Sequence, residues 1–283
     1  MEFSLCLEDP LRLGRLVMTT IWEIKHSIQT SVQKAAKEHV PSPLKKILRP
    51  AVRFMRRQIK RLVIGYGIVK RPGWSKPRAQ PRYFSFRGKQ IQYFYHRYNL
   101  TWTNERAVEI PIVWDVVQRY RGRRVLEVGN VLSHYFPVEH EVVDKYEKAP
   151  SVINLDVVDF HPSGQYDLIV SISTLEHVGW DEDPQDPSKA LHAFENLLDL
   201  LAPGGEIVIT LPVGENTEIV RFAVDGVIPF TELVSFKRVS RENDWEGVDP
   251  LIARKVKMND PYRHANAVLI GSYKDKRAVP TVV

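Results

Sequence analysis

The sequence predicts an α/β protein built around a mostly parallel sheet. Short apolar segments of strand length recur along the C-terminal two thirds of the chain, and helical or loop segments separate them. Strands that alternate with helices are typical of parallel sheets, because the chain must cross back between neighbouring strands. The predicted strands are residues 124–128, 141–144, 152–156, 166–171 and 206–211.

The composition indicates a soluble globular protein. Hydrophobic residues make up 43% and charged residues 26% of the 283 positions, which excludes an intrinsically disordered chain. The single cysteine, Cys6, excludes an internal disulfide framework and a cysteine-rich zinc site. The nine histidines show no metal-ligand spacing, so we predict no metal. No apolar run reaches the ~18 residues of a membrane-spanning helix, so an integral membrane protein is not expected.

The charge is divided unevenly along the chain. The formal net charge of +6 combines 21 Lys and Arg against 5 Asp and Glu in residues 1–100 with 19 against 29 in residues 101–283. A linker rich in Pro, Gly, Lys and Arg ends near residue 81. We therefore predict a basic helical N-terminal region with its linker, residues 1–80, and an α/β domain, residues 81–283.

Within the basic region, residues 44–70 have the pattern of an amphipathic helix with a cationic face. Apolar residues recur there at spacings of three and four, and Lys and Arg fill the gaps. This pattern fits a helix docked on the protein, an anionic membrane surface, or a nucleic acid. The apolar stripe and the scarcity of aromatic residues favour the membrane over nucleic acid. We expect a cytoplasmic protein, peripheral at the membrane if this helix binds lipid.

Residues 81–120 precede the first sheet strand and are predicted to form a hairpin and a helix. The hairpin pairs residues 83–86 with 90–95, and Asn104 is a suitable cap for a helix that ends near Tyr120. A dense set of aromatic and polar side chains lies between them. It fits a lid over a ligand, or simply the cap and first turn of the helix. Its members are Tyr98, Asn99, Trp102, Asn104, Glu105 and Arg106.

Acidic residues end three consecutive predicted strands. Glu127 with Gly129 follows the first strand, Asp144 the second and Asp156 the third. Open α/β sheets bind ligands outside the carboxyl ends of their strands. A carboxylate at the second position can accept hydrogen bonds from ribose hydroxyls, and one at the third from an adenine amino group. Each acid taken singly also fits a helix cap.

Five segments in order carry a resemblance to a known family. They read VLEVG, VVDKYE, INLDVVDF, YDLIVSISTLEHV and LAPGGEIVITLP. Together they resemble the class I S-adenosylmethionine-dependent methyltransferases, and most closely the type 11-like group with Leu-Glu-His after the fourth strand. The resemblance is strong over residues 121–213. It implies a Rossmann-like sheet of seven strands, with residues 234–240 and 267–274 as antiparallel sixth and seventh strands.

The resemblance also implies the residues that hold S-adenosylmethionine. Glu127 would orient the loop or the methionine amino group, Gly129 would allow close approach, and Asp144 would hold the ribose. The full implied set is Glu127, Gly129, Asn130, Asp144, Asp156, Val157 and Ser173. The chain departs from the family at the glycine-rich loop, where Gly129 is followed by Asn130, Val131, Leu132, Ser133 and His134.

The methyl acceptor is not specified by the sequence. His177 is the candidate base, because its ordinary pKa lies near neutral pH, and it also fits a packing role at a helix start. Glu215 and Asn216 are candidates for a second wall of the acceptor pocket. We expect methyl transfer to a small metabolite or to a saccharide on a lipid carrier. The alternatives are a catalytically inactive methyltransferase-like scaffold, and a nucleic-acid-binding protein or RNA methyltransferase that uses the basic region.

Overall fold

A computed structural model of the chain describes residues 81–277. The predicted basic helix at 44–70, its linker and its proposed lipid or nucleic-acid contacts lie outside the described residues and stay predictions. None of the helices in residues 81–277 combines the length and the apolar character that a membrane crossing requires.

Ten strands form two sheets in this part of the chain. A two-stranded antiparallel hairpin stands apart from a sheet of eight strands in the order β5-β4-β3-β6-β7-β10-β8-β9. The strands are β1 (Tyr83–Phe86), β2 (Lys89–Gln92), β3 (Val125–Val128), β4 (Glu141–Val143), β5 (Val152–Ile153), β6 (Tyr166–Ile172), β7 (Leu201–Pro212), β8 (Glu232–Arg238), β9 (Trp245–Val248) and β10 (Ala267–Lys274).

The order of the large sheet identifies its fold. Five neighbouring strands are parallel, in the order β5-β4-β3-β6-β7. The chain therefore enters the sheet in the middle at β3, adds β4 and β5 on one side, and then adds β6 and β7 on the other side of β3. This is the Rossmann order, with its switch point between the first and fourth sheet strands. The last strand, β10, inserts antiparallel between β7 and β8. The predicted α/β class is confirmed, and the fold is the Rossmann-like class I methyltransferase fold.

The sheet differs from the expected seven strands in two ways. It has an eighth strand, β9, which pairs antiparallel with β8 at the edge. The formation of β9 follows from Trp245. This residue is buried, and its backbone N–H donates to the hydroxyl of Tyr93 at 2.8 Å. The sixth sheet strand, β8, was expected to be antiparallel. It is antiparallel to its neighbours β10 and β9, and so runs in the same direction as β7.

Within residues 81–277, four α-helices cover the sheet, with a separate apolar core on each face. Alternate residues of β6 divide between the cores, as the two-residue period of a strand requires. One core contains the apolar side of α2, where Ala190, Ala193, Phe194 and Leu197 are buried. The other contains α1 and the hairpin. The helices are α1 (Arg106–Arg119), α2 (Lys189–Asp199), α3 (Thr217–Val224) and α4 (Pro250–Ala253).

Several element boundaries differ from the sequence prediction. The hairpin turns tightly at Arg87 and Gly88, both with positive φ, and its second strand ends at Gln92 instead of residue 95. The segment Ala-Pro-Gly-Gly, residues 202–205, precedes the fifth sheet strand predicted at residues 206–211. It lies inside β7, as a bulge between the Tyr166–Leu201 and Leu168–Glu206 pairs. Pro203 fits there because a bulge leaves ladder positions without a hydrogen bond.

Candidate functional site

The loop after β3 is fixed by the buried carboxylate of Glu127. Its Oε1 accepts hydrogen bonds from the backbone N–H groups of Val131 and Leu132, at 2.9 and 2.7 Å. Its Oε2 lies 2.8 Å from Nε2 of His140. The side chain is fully buried, so these partners replace the water that the carboxylate loses. Both oxygens of Glu127 therefore orient the loop.

Gly129 begins this loop in a conformation that only glycine adopts easily. Its φ is +87°, and a Cβ atom placed there would lie 2.1 Å from Oγ1 of Thr174. The absence of a side chain thus lets the end of β3 pack against the residue after Ser173, at the switch point of the sheet.

A polar network takes the place of the missing glycines in the loop. The N–H of Asn130 donates to Oδ2 of Asp144 at 3.0 Å, and its Nδ2 donates to Oε1 of Glu147 at 3.0 Å. The same glutamate oxygen lies 3.0 Å from Nε2 of His134. Asp144 Oδ1 also accepts from the N–H of Glu147 at 2.7 Å. The ends of β3 and β4 are therefore cross-linked by side chains.

Asp156 belongs to a cluster of four charged side chains. Its Oδ2 accepts hydrogen bonds from Nζ of Lys145 at 2.8 Å and Nζ of Lys189 at 2.6 Å. Both lysines also bind Glu182. Partial burial alone would raise the pKa of Asp156, but the two lysines lower it below its usual value. Asp156 also caps the turn that follows it, by accepting from the N–H of Val158.

Two other predicted cofactor residues face the protein interior. The side chain of Val157 is buried in the α2-side core. Ser173 adopts a positive φ of 41°, and its Oγ donates to Oε1 of Glu109 at 2.6 Å. Thr210 Oγ1 donates to the same oxygen at 2.7 Å. Ser173 thus joins the ends of β6 and β7 to helix α1 through one buried carboxylate.

Buried acids surround Arg106 at the end of β6, and the sequence analysis missed two of them. Nη1 of Arg106 donates to Oε2 of Glu109 at 3.2 Å and to the carbonyl of Ile172 at 3.1 Å. Glu105 and Glu176 contribute to the electrostatic environment of the same guanidinium. Glu109 and Glu176 are fully buried. For Glu109 a signal was present, because it interrupts an apolar run in the first turn of α1.

Glu176 is the most unusual of these acids. Within residues 81–277, neither of its carboxylate oxygens has a hydrogen-bond partner, although the side chain is fully buried. Burial raises the pKa of Glu176 to about 8, even though the adjacent His177 acts in the opposite direction. One oxygen of Glu105 is likewise buried without a partner, and burial followed by repulsion from Glu109 raises the pKa of Glu105 to about 7.

His177 lies beside Glu176 and is partly exposed. Its Nδ1 is 3.1 Å from Oδ2 of Asp181, and its Nε2 is 3.6 Å from Oε1 of Glu176. Burial alone would lower the pKa of His177, but these two acids, with Glu215, raise it to about 9. The imidazole is therefore protonated at neutral pH. The predicted base role stays a prediction, and it requires that His177 first lose this proton.

The lid segment, residues 95–106, contacts the loop after β3. The ring of Tyr98 stacks on His134 with centroids 4.3 Å apart and meets Tyr135 edge-on at 5.5 Å. Asn99 has a positive φ of 56° and hydrogen-bonds the side chain of Tyr135. Nε1 of Trp102 is buried without a partner. The segment is thus placed where a lid would meet a ligand held by this loop.

The other end of the lid segment is tied to the β8–β9 turn. Asn104 Oδ1 accepts from the N–H of Arg106, as a cap for α1, while the Asn104 carbonyl accepts from Nδ2 of Asn243. Arg238 is buried, and its guanidinium donates to the carbonyl of Thr103 at 2.9 Å. It also donates to the carbonyls of residues Ser240, Arg241 and Arg263.

The two predicted residues after β7 have different roles. Asn216 is fully buried and caps α3, since its Oδ1 accepts from the N–H groups of Glu218 and Ile219. Its Nδ2 donates to the carbonyl of Glu176 at 3.0 Å, so it holds the Leu-Glu-His turn against the end of β7. Glu215 is exposed and acts on the site through its charge near His177. Within residues 81–277, no group of three or more His, Cys, Asp or Glu side chains is placed to hold a metal ion.

No family model matches the chain, and no curated protein matches it. Among solved structures, N-methyltransferase NodS from Bradyrhizobium japonicum WM9 aligns with 54% of this chain and 78% of its own, at 17% identity and a TM-score of 0.34. The sugar N-methyltransferase KedS8 from Streptoalloteichus sp ATCC 53650 aligns over 58% and 86%, at 16% identity and 0.31. An S-adenosylmethionine-dependent methyltransferase from Clostridium acetobutylicum ATCC 824 aligns over 58% and 89%, at 12% identity and 0.31. The strand order and direction, not these alignments, identify the fold.

Proposed function

We propose that this chain binds S-adenosylmethionine and transfers its methyl group to a small-molecule or saccharide acceptor. One observation carries the proposal. The acids at the ends of β3, β4 and β5 lie along the carboxyl edge of a parallel sheet whose strand order reverses between β3 and β6. A reversal of this kind opens the crevice in which α/β proteins bind nucleotide cofactors.

The residues at this edge fit the cofactor, provided that Asp156 exchanges its two lysine partners for the cofactor. Asp144 would hold the ribose, since Oδ2 accepts from the N–H of Asn130 and a carboxylate oxygen has a second lone pair. Asp156 would meet the adenine amino group only after Lys145 and Lys189 release it. The bound group supplies an electrophilic methyl on a sulfonium.

The remaining work of the protein is alignment. Methyl transfer needs the acceptor, the methyl carbon and sulfur in line, and it needs no covalent enzyme intermediate. Ser173, Glu109 and Thr210 fix the ends of β6 and β7 to each other. The lid segment would shield the same edge from water, since Tyr98 stacks on His134 of the loop after β3.

Calorimetry on the full chain tests this proposal. We expect S-adenosylhomocysteine to bind, and Asp144→Ala to weaken its binding at least tenfold because the ribose loses its acceptor. Asp115→Ala is the matched control, since Asp115 is exposed on α1. Mass spectrometry of the purified protein should show co-purified S-adenosylhomocysteine. The proposal fails if millimolar S-adenosylhomocysteine gives no binding heat.

The four-charge cluster supports a second candidate function, an inactive methyltransferase-like scaffold. Here Lys145 and Lys189 would hold Asp156 permanently, and the cluster would be purely structural. Lys189→Met separates the two functions. If the cluster only competes with the cofactor, the variant binds S-adenosylhomocysteine more tightly than the wild type. If neither protein binds it, the scaffold is the better description.

A further inference from the structure

The turn after β6 buries a carboxylate that the fold itself does not use. Glu176 is fully buried, and in the part of the chain that the structure describes neither of its side-chain oxygens has a hydrogen-bond partner. Such a group costs free energy in the folded state, because it loses its water and gains no donor in return. Its backbone is held firmly, since its carbonyl accepts from Asn216 Nδ2 at 3.0 Å. The carboxylate is therefore kept in place without a structural partner.

The two cations nearest Glu176, Arg106 and His177, are both shared with other acids. Arg106 is shared among several acids, and its Nη1 is bound to Glu109 and to the carbonyl of Ile172. His177 is 3.6 Å from Oε1 of Glu176, beyond hydrogen-bond distance, and its other ring nitrogen faces Asp181. Glu105 adds a second buried oxygen without a partner near the same guanidinium. The site is thus deficient in hydrogen-bond donors, and both of its cations are shared with other acids.

The position of Glu176 points to the methyl acceptor rather than the methyl donor. Glu176 follows β6, and Asn216, at the start of the helix after β7, holds its turn. The acids expected to bind the donor end β3 and β4, on the other side of the switch point. A ligand group that meets Glu176 therefore enters from the β6 and β7 side.

We infer that Glu176 binds the ammonium group of the acceptor, so that the methylated substrate is an amine. The inference rests on the proposed methyl transfer. An ammonium brings one positive charge and up to three N–H donors, which match two unpartnered oxygens, whereas a hydroxyl brings one donor and no charge.

The same carboxylate serves the reaction. An ammonium nitrogen has no lone pair, so one N–H proton must leave, and it passes to Glu176. The freed lone pair forms the N–C bond, and the S–C bond breaks with its electrons on sulfur. The neutral carboxyl is the form that burial favours.

Matched probes on the full chain test the inference. We would titrate cadaverine against 1,5-pentanediol, glucosamine against glucose, and tyramine against tyrosol, with and without S-adenosylhomocysteine, at pH 8. In at least one pair we expect the amine to bind at least tenfold more tightly. Glu176→Gln should abolish that preference and leave the affinity for S-adenosylhomocysteine within twofold. Glu176→Asp should keep part of it, and Glu195→Gln, an exposed control, all of it.

The outcomes separate this inference from the proposed function. If no amine is preferred over its hydroxyl partner, or if Glu176→Gln leaves the preference intact, the amine inference is wrong. If Glu176→Gln instead weakens the binding of S-adenosylhomocysteine, the carboxylate contacts the ammonium group of the cofactor's methionine part, and the inference is again wrong. If S-adenosylhomocysteine binds to none of the proteins, the methyltransferase proposal fails. The amine preference is then judged on the ligand-free protein.

Discussion

Replacing Glu176 by glutamine should make the protein more stable at alkaline pH relative to the wild type. The pKa of Glu176 is raised from 4.5 to about 8 in the folded protein. A raised pKa means that the neutral carboxyl stabilises the fold fully below pH 4.5 and that this stabilisation is lost as the pH rises to about 8. Glutamine is neutral throughout and does not lose it.

The size of the effect follows from the pKa difference. At about 1.4 kcal/mol for each pH unit, the shift from 4.5 to about 8 corresponds to about 5 kcal/mol. The net gain of the variant is smaller than about 5 kcal/mol, because Glu176 is one of the acids that stabilise protonated His177 and the variant lacks it. We therefore expect Glu176→Gln to gain about 3 kcal/mol over the wild type between pH 5 and pH 9.

Urea unfolding at pH 5, 7 and 9 measures this difference. The comparison needs the wild type, Glu176→Gln and Glu195→Gln, whose exposed carboxylate should leave the pH profile of the wild type unchanged. If the free energies of unfolding of wild type and Glu176→Gln change in parallel with pH, Glu176 is not a buried carboxyl that holds its proton. The account of the site would then be refuted.

Two further predictions concern the framework of the site, and both are measured by urea unfolding. Gly129→Ala should lower the free energy of unfolding by at least about 3 kcal/mol, because its Cβ would overlap Thr174. Gly122→Ala, which has a similar positive φ but open space around it, should lower it by about 1 kcal/mol. Equal losses would show that backbone conformation alone matters. Asn216→Ala should lower the free energy of unfolding by about 2–3 kcal/mol, because it removes a buried helix cap and the hydrogen bond to the Glu176 carbonyl. Asp249→Ala, which removes an exposed helix cap, should lower it by about 1 kcal/mol. Comparable losses for the two caps would contradict a role for the Glu176 contact.

The sequence was sufficient to predict which strand ends form the edge of the site. Strand length and alternation locate β3, β4 and β6, and the chain-order rule for parallel sheets brings Glu127 and Asp144 to one edge. These features depend on local pattern and on topology. For the same reason the eighth strand was missed, since β9 forms through the contact of Trp245 with Tyr93, which lies 152 positions earlier.

The partners of the site residues could not be predicted in the same way. Asp156 is occupied by Lys189, which is 33 positions away, and no local pattern specifies that contact. Glu176 was expected only as part of a Leu-Glu-His signature, and its burial depends on the turn held by Asn216. Residue type and spacing identify which groups are present. Which groups are already satisfied depends on the packing of distant segments.

The guanidinium of Arg238 has a consequence for how the lid segment can move. Its four carbonyl partners belong to the lid segment, to the turn after β8 and to the loop before β10. The lid cannot swing away as an independent flap, because lifting Thr103 would leave a buried cation short of an acceptor. Opening therefore requires the edge of the sheet to shift with it. If this segment acts as a lid, its anchor lies at the β8–β9 edge of the sheet, which in strand order is the edge farthest from the acids expected to bind the cofactor.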